Sequence, residues 1–277
     1  MQLRFAGFII AMAGYCAWAQ DQPPVLADNQ AATAATAILE NSGEPILLPF
    51  VCTPDDVQWA GLSCLEDAPC PIFLELTAAT SAGDKFFATG NIHSAAVTLY
   101  SVLLGSDDAG RTWREIHPRI RGAGFDRLQF VDTQTGWAAG QQLFPLPQDP
   151  FVLLTGDGGK TWRQQDILNE NDENRFGSIL EFRFGSKTSG GVVVDRGQGG
   201  DAGRYALFES PNGGETWQIK EESGKPLHLK PAPTEPAEWR VRADAPSQSF
   251  HLERRLGDRW ISRAAFAVKI GACKPPE

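Results

Sequence analysis

The chain of 277 residues lacks most features that would assign a function directly. Beyond an apolar run at residues 5–18 it has no hydrophobic stretch able to cross a membrane. Its 25 Lys and Arg are outnumbered by 34 Asp and Glu, which argues against nucleic acid and anionic membrane surfaces as partners. It has no Gly-x-Ser-x-Gly elbow and no Cys-x-x-Cys pair, and its four histidines are scattered. We therefore expect no metal and no cofactor.

The first residues have the pattern of an export signal. Arg4 precedes the apolar run, and Ala17-Trp18-Ala19 precedes Gln20, so residues 1–19 are predicted to be a cleaved signal peptide. A lipid-modified Cys16 is an alternative, although such cysteines usually follow a small residue and Tyr15 is bulky. Residues 20–43 are predicted to be a disordered leader and residues 44–277 a single domain. The expected location is secreted or periplasmic, with no membrane span after signal removal.

Four cysteines remain after signal removal. An even count in an exported chain indicates disulfide bonds, and four cysteines allow three pairings. We favour Cys64 with Cys70, which closes a short loop, and Cys52 with Cys273, which fastens the two ends of the domain. Zinc binding is the alternative use, but the spacings lack a typical ligand pair.

Three eight-residue segments share the pattern Ser/Thr-x-Asp/Asn-x-Gly-x-Thr-Trp. They recur at intervals of about fifty residues, close to the length of one four-stranded propeller blade. We predict that each is a hairpin turn in which Asp or Asn accepts backbone hydrogen bonds, Gly takes a positive φ and Trp packs between sheets. The defining residues are Ser106, Asp108, Gly110, Thr112, Trp113, Thr155, Asp157, Gly159, Thr161, Trp162, Ser210, Asn212, Gly214, Thr216 and Trp217.

Short apolar strands surround each motif and no stretch has a sustained helical period. One strand precedes each motif, another starts at its Thr-Trp end, and two more lie upstream, so each repeat is a four-stranded meander. A degenerate fourth repeat covers residues 239–260, with its hairpin at 256–260. We predict an all-β fold, a small β-propeller of about four antiparallel blades. Residues 46–58 either add a closing strand or start a partial fifth blade.

The repeated motif resembles the Asp-box, or bacterial neuraminidase repeat, of sialidases, sortilin-type receptors and photosystem II assembly and stability factors. Residues 130–140 (FVDTQTGWAAG), leading into the motif at Thr155, look most like the last family. The resemblance covers about residues 72–220. It implies a propeller whose Asp-boxes are structural and lie away from the functional site, and it implies no link to photosynthesis.

Enzymatic chemistry finds little support in these residues. The resemblance to sialidases implies an arginine triad and a tyrosine nucleophile, but only Tyr100 and Tyr205 remain in the mature chain and the family's Arg-Ile-Pro motif is absent. Other glycosidases need paired carboxylates, and Glu75, Glu181 and Asp195 cannot be paired from sequence. Residues 169–174 offer many oxygens without the spacing of a calcium loop, so a mobile acidic loop is the preferred interpretation.

A binding surface is expected at the end of the propeller opposite the motif hairpins, where loops of variable length collect. Phe144 and Leu146 form a Pro-stiffened apolar tip suited to a protein contact, or to covering the ring. Arg119, Arg121 and Arg127 form a predicted basic cluster beside it that could grip a carboxylate.

We therefore predict a non-enzymatic binding or assembly module. The partner is another envelope or secreted protein, and the module itself is a monomer. A glycan-binding or glycoside-hydrolase-like protein and a purely structural envelope component are the alternatives.

Overall fold

A computed structural model describes residues 37–168, 175–197, 203–230 and 238–275. One helix and seventeen strands occur in these ranges. In chain order they are β1 Leu39–Glu40, α1 Pro54–Trp59, β2 Cys70–Ala82, β3 Lys85–His93, β4 Thr98–Ser106, β5 Thr112–Glu115, β6 Ala123–Phe130, β7 Gly136–Gln142, β8 Gln148–Thr155, β9 Arg163–Asp166, β10 Ser178–Phe184, β11 Gly190–Asp195, β12 Tyr205–Ser210, β13 Gln218–Ser223, β14 Trp239–Asp244, β15 Ser249–Leu256, β16 Arg259–Ala267 and β17 Lys269–Cys273.

The strands form four antiparallel sheets arranged like the blades of a propeller, which confirms the predicted all-β class. Sheet 1 has the order β1-β5-β4-β3-β2-β17, sheet 2 is β6 to β9, sheet 3 is β10 to β13, and sheet 4 is β14 to β16. The inner strand β6 packs on β2, β3 and β4, and β10 packs on sheet 2 in the same way. Strand β14 packs on β2, so the fourth sheet lies against the first.

Each of the three motifs forms the hairpin expected from its sequence. The hydroxyl of Ser106 accepts a hydrogen bond from the Gly110 N–H at 2.8 Å, while Asp108 accepts from the Thr112 N–H at 2.9 Å. Equivalent bonds recur in the hairpins that begin at Thr155 and Ser210. The motif glycines have φ values of 90°, 79° and 93°, in the left-handed region that a side chain opposes.

Aromatic rings fill the seams between the sheets. Trp113 is buried against Phe266 of sheet 4, and Trp217 packs edge-on against Phe184. Trp162, which is only half-buried, meets Phe130 edge-on at 6.0 Å. Trp113 therefore packs on a neighbouring sheet, as predicted. Trp217 and Trp162 pack on rings of their own sheets, and those rings in turn stack on Trp137 and Phe87 of the preceding sheets.

Sheet 4 corresponds to the predicted degenerate repeat, and the chain ends are fastened to sheet 1. The hairpin of sheet 4 turns at residues 257 and 258, and β17 then pairs with the start of β2. Cys52 is bonded to Cys273 and Cys64 to Cys70, so both predicted pairings are present. Disulfides of this kind are typical of an oxidising compartment.

Two expectations about the N-terminal part of the domain are corrected by the structure. Residues 46–58 form no fifth blade: Ile46 makes a single bridge to Phe266, and residues 54–59 are the helix α1. Strand β1 lies within the segment assigned to the leader, where Leu39 is buried and pairs with Trp113. The ordered domain therefore begins before residue 44. The predicted signal peptide and the leader up to residue 36 lie outside the described residues.

Candidate functional site

The two ends of the propeller differ in character. At the hairpin end, each motif turn is joined to the first turn of its own sheet by backbone bonds such as Gly158 N–H to Gln134 O and Gly213 N–H to Thr188 O, both near 2.8 Å. The opposite end, which we call the loop end, carries α1, the loops that connect the blades and the turns between second and third strands. Its loops are longer and expose apolar side chains, so the candidate site is there.

Helix α1 is held at the loop end by a capping box. Thr53 caps the helix: its hydroxyl accepts from the Asp56 N–H, and the Asp56 carboxylate accepts from the Thr53 N–H at 2.9 Å. Asp56 is only 2% exposed and also accepts a hydrogen bond from the Tyr100 hydroxyl. The sequence signal for this helix is the pair Thr53 and Asp56, three residues apart, which our sequence analysis missed.

Arg121 lies between two aromatic rings beside this helix. Its guanidinium carbon is 5.6 Å from the Trp59 ring and 5.8 Å from the Tyr100 ring. It pairs with Asp55 at 2.7 Å and with Asp56 at 3.5 Å. Burial and the bond to Asp56 raise the pKa of Tyr100 to about 12, so its hydroxyl stays protonated at neutral pH. These side chains hold one another in place beside α1, and we call them the brace: Asp55, Asp56, Trp59, Tyr100 and Arg121.

The predicted apolar tip packs on the same helix. The Phe144 ring lies 4.9 Å from the Trp59 ring, and the Leu143 N–H donates to Gly122 O at 2.7 Å. Leu146 projects outward and is 56% exposed. The far side of the loop is joined to residues 175–177, since the Gly177 N–H donates to Pro147 O at 3.0 Å. The tip is thus braced on both sides while Leu146 faces solvent.

The three predicted arginines do not form one basic cluster. Arg119 makes a bidentate pair with the buried Glu115 at 2.7 and 2.8 Å, and Arg121 belongs to the brace. Arg127 donates to the backbone oxygens of Asp126 and Leu180 at 3.0 Å. Arg119 and Arg121 are neutralised by carboxylates of this chain, so the prediction of a grip on an external carboxylate by all three is corrected.

The carboxylates near the inner strands offer limited chemistry. Glu181 contacts His228 at 2.6 Å and Asp195 pairs with Arg204 at 2.7 Å, so both already have partners. Burial raises the pKa of Asp126, and Glu75 on the neighbouring inner strand raises it further, although Arg127 lowers it.

Two further features of the described part of the chain concern metal ions and membranes. Within it, no three His, Cys, Asp or Glu side chains cluster so as to hold a metal ion. None of its helices has the length and apolar character needed to cross a membrane. The oxygen-rich segment at residues 169–174 lies outside the described residues.

No family model matches the chain, and no curated protein matches it. Solved structures similar to the chain include a GH74 xyloglucanase from Xanthomonas campestris (15% identity, TM-score 0.36), YCF48 from Cyanidioschyzon merolae (14%, 0.32) and an α-L-arabinanase from Penicillium chrysogenum (14%, 0.34). The matches cover 48%, 79% and 81% of this chain but only 18%, 54% and 65% of those proteins. No functional argument follows from likeness of this degree.

Proposed function

We propose that this protein is exported through a cleaved signal peptide and acts as a non-enzymatic β-propeller module that binds another protein at its loop end. In this proposal the three hairpins are Asp-boxes that stabilise the blades, and they take no part in binding. The observation that carries the proposal is the braced tip, in which Leu146 is 56% exposed although its loop is held on both sides.

A fixed apolar tip is suited to protein recognition because its shape is formed before binding. An exposed apolar side chain on a rigid loop loses little conformational freedom when a partner covers it. The nearby polar groups support the same interpretation. Asp56, Tyr100 and Arg121 satisfy one another, so the polar groups of these three side chains are already paired within the chain.

The test is site-specific photocrosslinking in the mature chain. A benzoylphenylalanine replaces Leu146 in one bait and Ile219 in the control bait. Ile219 is similarly exposed, at 47%, but lies on β13 at the outer edge of sheet 3. Both baits are exposed to envelope and secreted fractions of the source cells. We expect one defined adduct from position 146 and none from position 219.

A non-crosslinking variant completes the test. Leu146→Ser should abolish capture of the protein found in the adduct, whereas Ile219→Ser should leave capture unchanged. The proposal fails if position 146 yields no adduct, or if both positions yield the same proteins. Thermal unfolding of each variant shows whether the fold is intact. Because Leu146 is largely exposed, Leu146→Ser is expected to unfold at the same temperature as the wild type.

A further inference from the structure

A second potential site lies away from the loop-end tip, where sheet 4 meets sheet 1. A cavity of about 300 Å³, open to solvent on the side of its two alanines, is bounded by Phe73 of β2, by the turn between β14 and β15, and by the junction of β16 and β17. This volume is at the small end of the range for ligand pockets. The walls are mainly apolar, formed by Phe73, Ala243, Ala245 and Val268, with Asp244, Gln248, Ser249 and Lys269 as the polar members.

The backbone around the cavity is fixed before any ligand arrives. The Val268 N–H donates to Gln248 O at 2.9 Å, and the Leu74 N–H donates to Val268 O at 2.7 Å, which ties all three walls together. Gln248 has a φ of 48°, in the left-handed region that a residue with a side chain rarely adopts. Backbone strain of this kind is retained where the surroundings enforce it, and it recurs at ligand sites.

The two charged residues of the cavity differ in how their charges are compensated. The Asp244 carboxylate accepts from Arg242 Nη1 at 2.8 Å and from the Ser247 N–H and hydroxyl, so its charge is neutralised within the protein. Lys269 is exposed, and among the described residues none pairs with its ammonium group. The cavity therefore offers one free cation beside apolar walls, together with the Gln248 side chain.

We infer that this cavity binds a small organic acid with an apolar body about the size of one or two rings. The body lies against Phe73 and the alanines, and the acid group pairs with the Lys269 ammonium. A single free cation favours one anionic group over a polyphosphate, because each further negative charge would face the Asp244 side of the cavity without a partner. The site is independent of the proposed protein contact at Leu146.

The test uses 2-naphthoate and its neutral analogue 2-naphthamide as probes, with binding measured by calorimetry on the mature protein. The wild type should bind naphthoate saturably and naphthamide more weakly. Lys269→Ala should weaken naphthoate at least about tenfold, the effect of losing a hydrogen bond to a charged group, and leave naphthamide unchanged. Lys220→Ala, which removes an exposed lysine of sheet 3, is the control and should bind both probes as the wild type does.

A second variant tests the position of the apolar body. Ala243→Leu fills the cavity without altering charge, so it should weaken both probes together. The inference is overturned if the wild type shows no saturable binding, or if Lys269→Ala binds naphthoate as tightly as the wild type does. It is also overturned if Ala243→Leu leaves both affinities unchanged, since the probes would then bind elsewhere.

Discussion

The seam between sheets 2 and 3 and the seam that follows sheet 3 are built differently. In sheet 2, Gly136 pairs with the motif residue Thr155, and Trp137 is the next residue along the strand. The Trp137 ring stacks on Phe184 of sheet 3 at 3.8 Å, and its indole N–H donates to Gly213 O at 2.8 Å. The equivalent residue of sheet 3 is Gly191. The space that a side chain would take there is filled by Leu229, 2.8 Å from an ideal Cβ.

In the residues described after sheet 3 the repeated aromatic contact is absent, and an extended segment of the chain takes its place. Residues 228–230 cross sheet 3 without forming a strand: the Leu229 N–H donates to Glu181 at 2.8 Å, and Arg183 donates to Lys230 O. Gln129, at the same register position as Arg183, bonds both backbone groups of Phe184. Sheets 2 and 3 thus join through aromatic rings on paired strands, whereas the next contact of sheet 3 is with an extended segment. Sheet 4 packs on sheet 1, where Phe266 meets Trp113 edge-on.

The largest effect is expected when the covalent closure is removed. A Cys52→Ala, Cys273→Ala variant should lower the free energy of unfolding by about 5 kcal/mol, because the bond closes a very long loop in the unfolded chain. The Cys64→Ala, Cys70→Ala variant should lose only about 2 kcal/mol, since its loop is short. Denaturant unfolding measures both. If both variants lost the same free energy of unfolding, the long-range bond would stabilise the fold no more than the short one does.

Truncating a side chain at each seam should lower the free energy of unfolding by different amounts. Trp137→Ala removes a fully buried ring and should cost about 4 kcal/mol. Leu229→Ala removes a half-buried side chain and should cost about 1–2 kcal/mol. The measurement is again denaturant unfolding, with Leu146→Ser as an exposed control close to zero. A loss at Leu229 as large as that at Trp137 would contradict the distinction between the seams.

The smallest effect concerns the hairpins themselves. Burial raises the pKa of Asp108, but hydrogen bonds from Thr112, Ser106 and Arg111 outweigh it and lower the pKa to about 2; bonds from Thr161 lead the same change at Asp157. The folded pKa lies below that of a free carboxyl, so this stabilisation is complete above about pH 4 and is lost as the pH falls toward 2. Asn212 occupies the same position in the third motif and does not titrate.

The corresponding experiment makes all three hairpins alike. An Asp108→Asn, Asp157→Asn variant should lose less stability between pH 6 and pH 3 than the wild type loses. The difference is at most about 1 kcal/mol per motif, because both carboxylates are screened by solvent. Unfolding free energies at the two pH values check this, and parallel losses in the two proteins would contradict it.

The features that the sequence predicted are those with local signals. The hairpin from Ser106 to Trp113 carries its own hydrogen-bonding residues, so its geometry could be read from eight positions. Helix α1 is too short for a hydrophobic period, and only its capping box marked it. The two residues of β1 are likewise too few to show strand alternation.

The site could be predicted only in outline, because its contacts join distant segments. Phe144 and Leu146 stood out as apolar residues in a Pro-rich loop, but nothing in the sequence indicated that Phe144 would lie on Trp59. Arg121 looked free for the same reason, because its partners are the distant carboxylates of α1. The partner of Arg119 is Glu115, only four residues before it in the chain, so that pair did have a local signal. The cavity at Lys269 joins β2 to sheet 4 and has no local signal at all.

The central claim is that the seams between sheets 1 and 2 and between sheets 2 and 3 are stronger than the contact of sheet 3 with the segment at residues 228–230. Each of these three contacts contains one backbone amide bonded to a side chain of the preceding sheet: Phe125 to Asn91, Ile179 to Gln141 and Leu229 to Glu181, at 2.8–2.9 Å. Native-state hydrogen exchange of these three amides tests the claim directly. The account predicts slow exchange at Phe125 and Ile179 and exchange at least about 100-fold faster at Leu229. Equal protection at all three amides would contradict it.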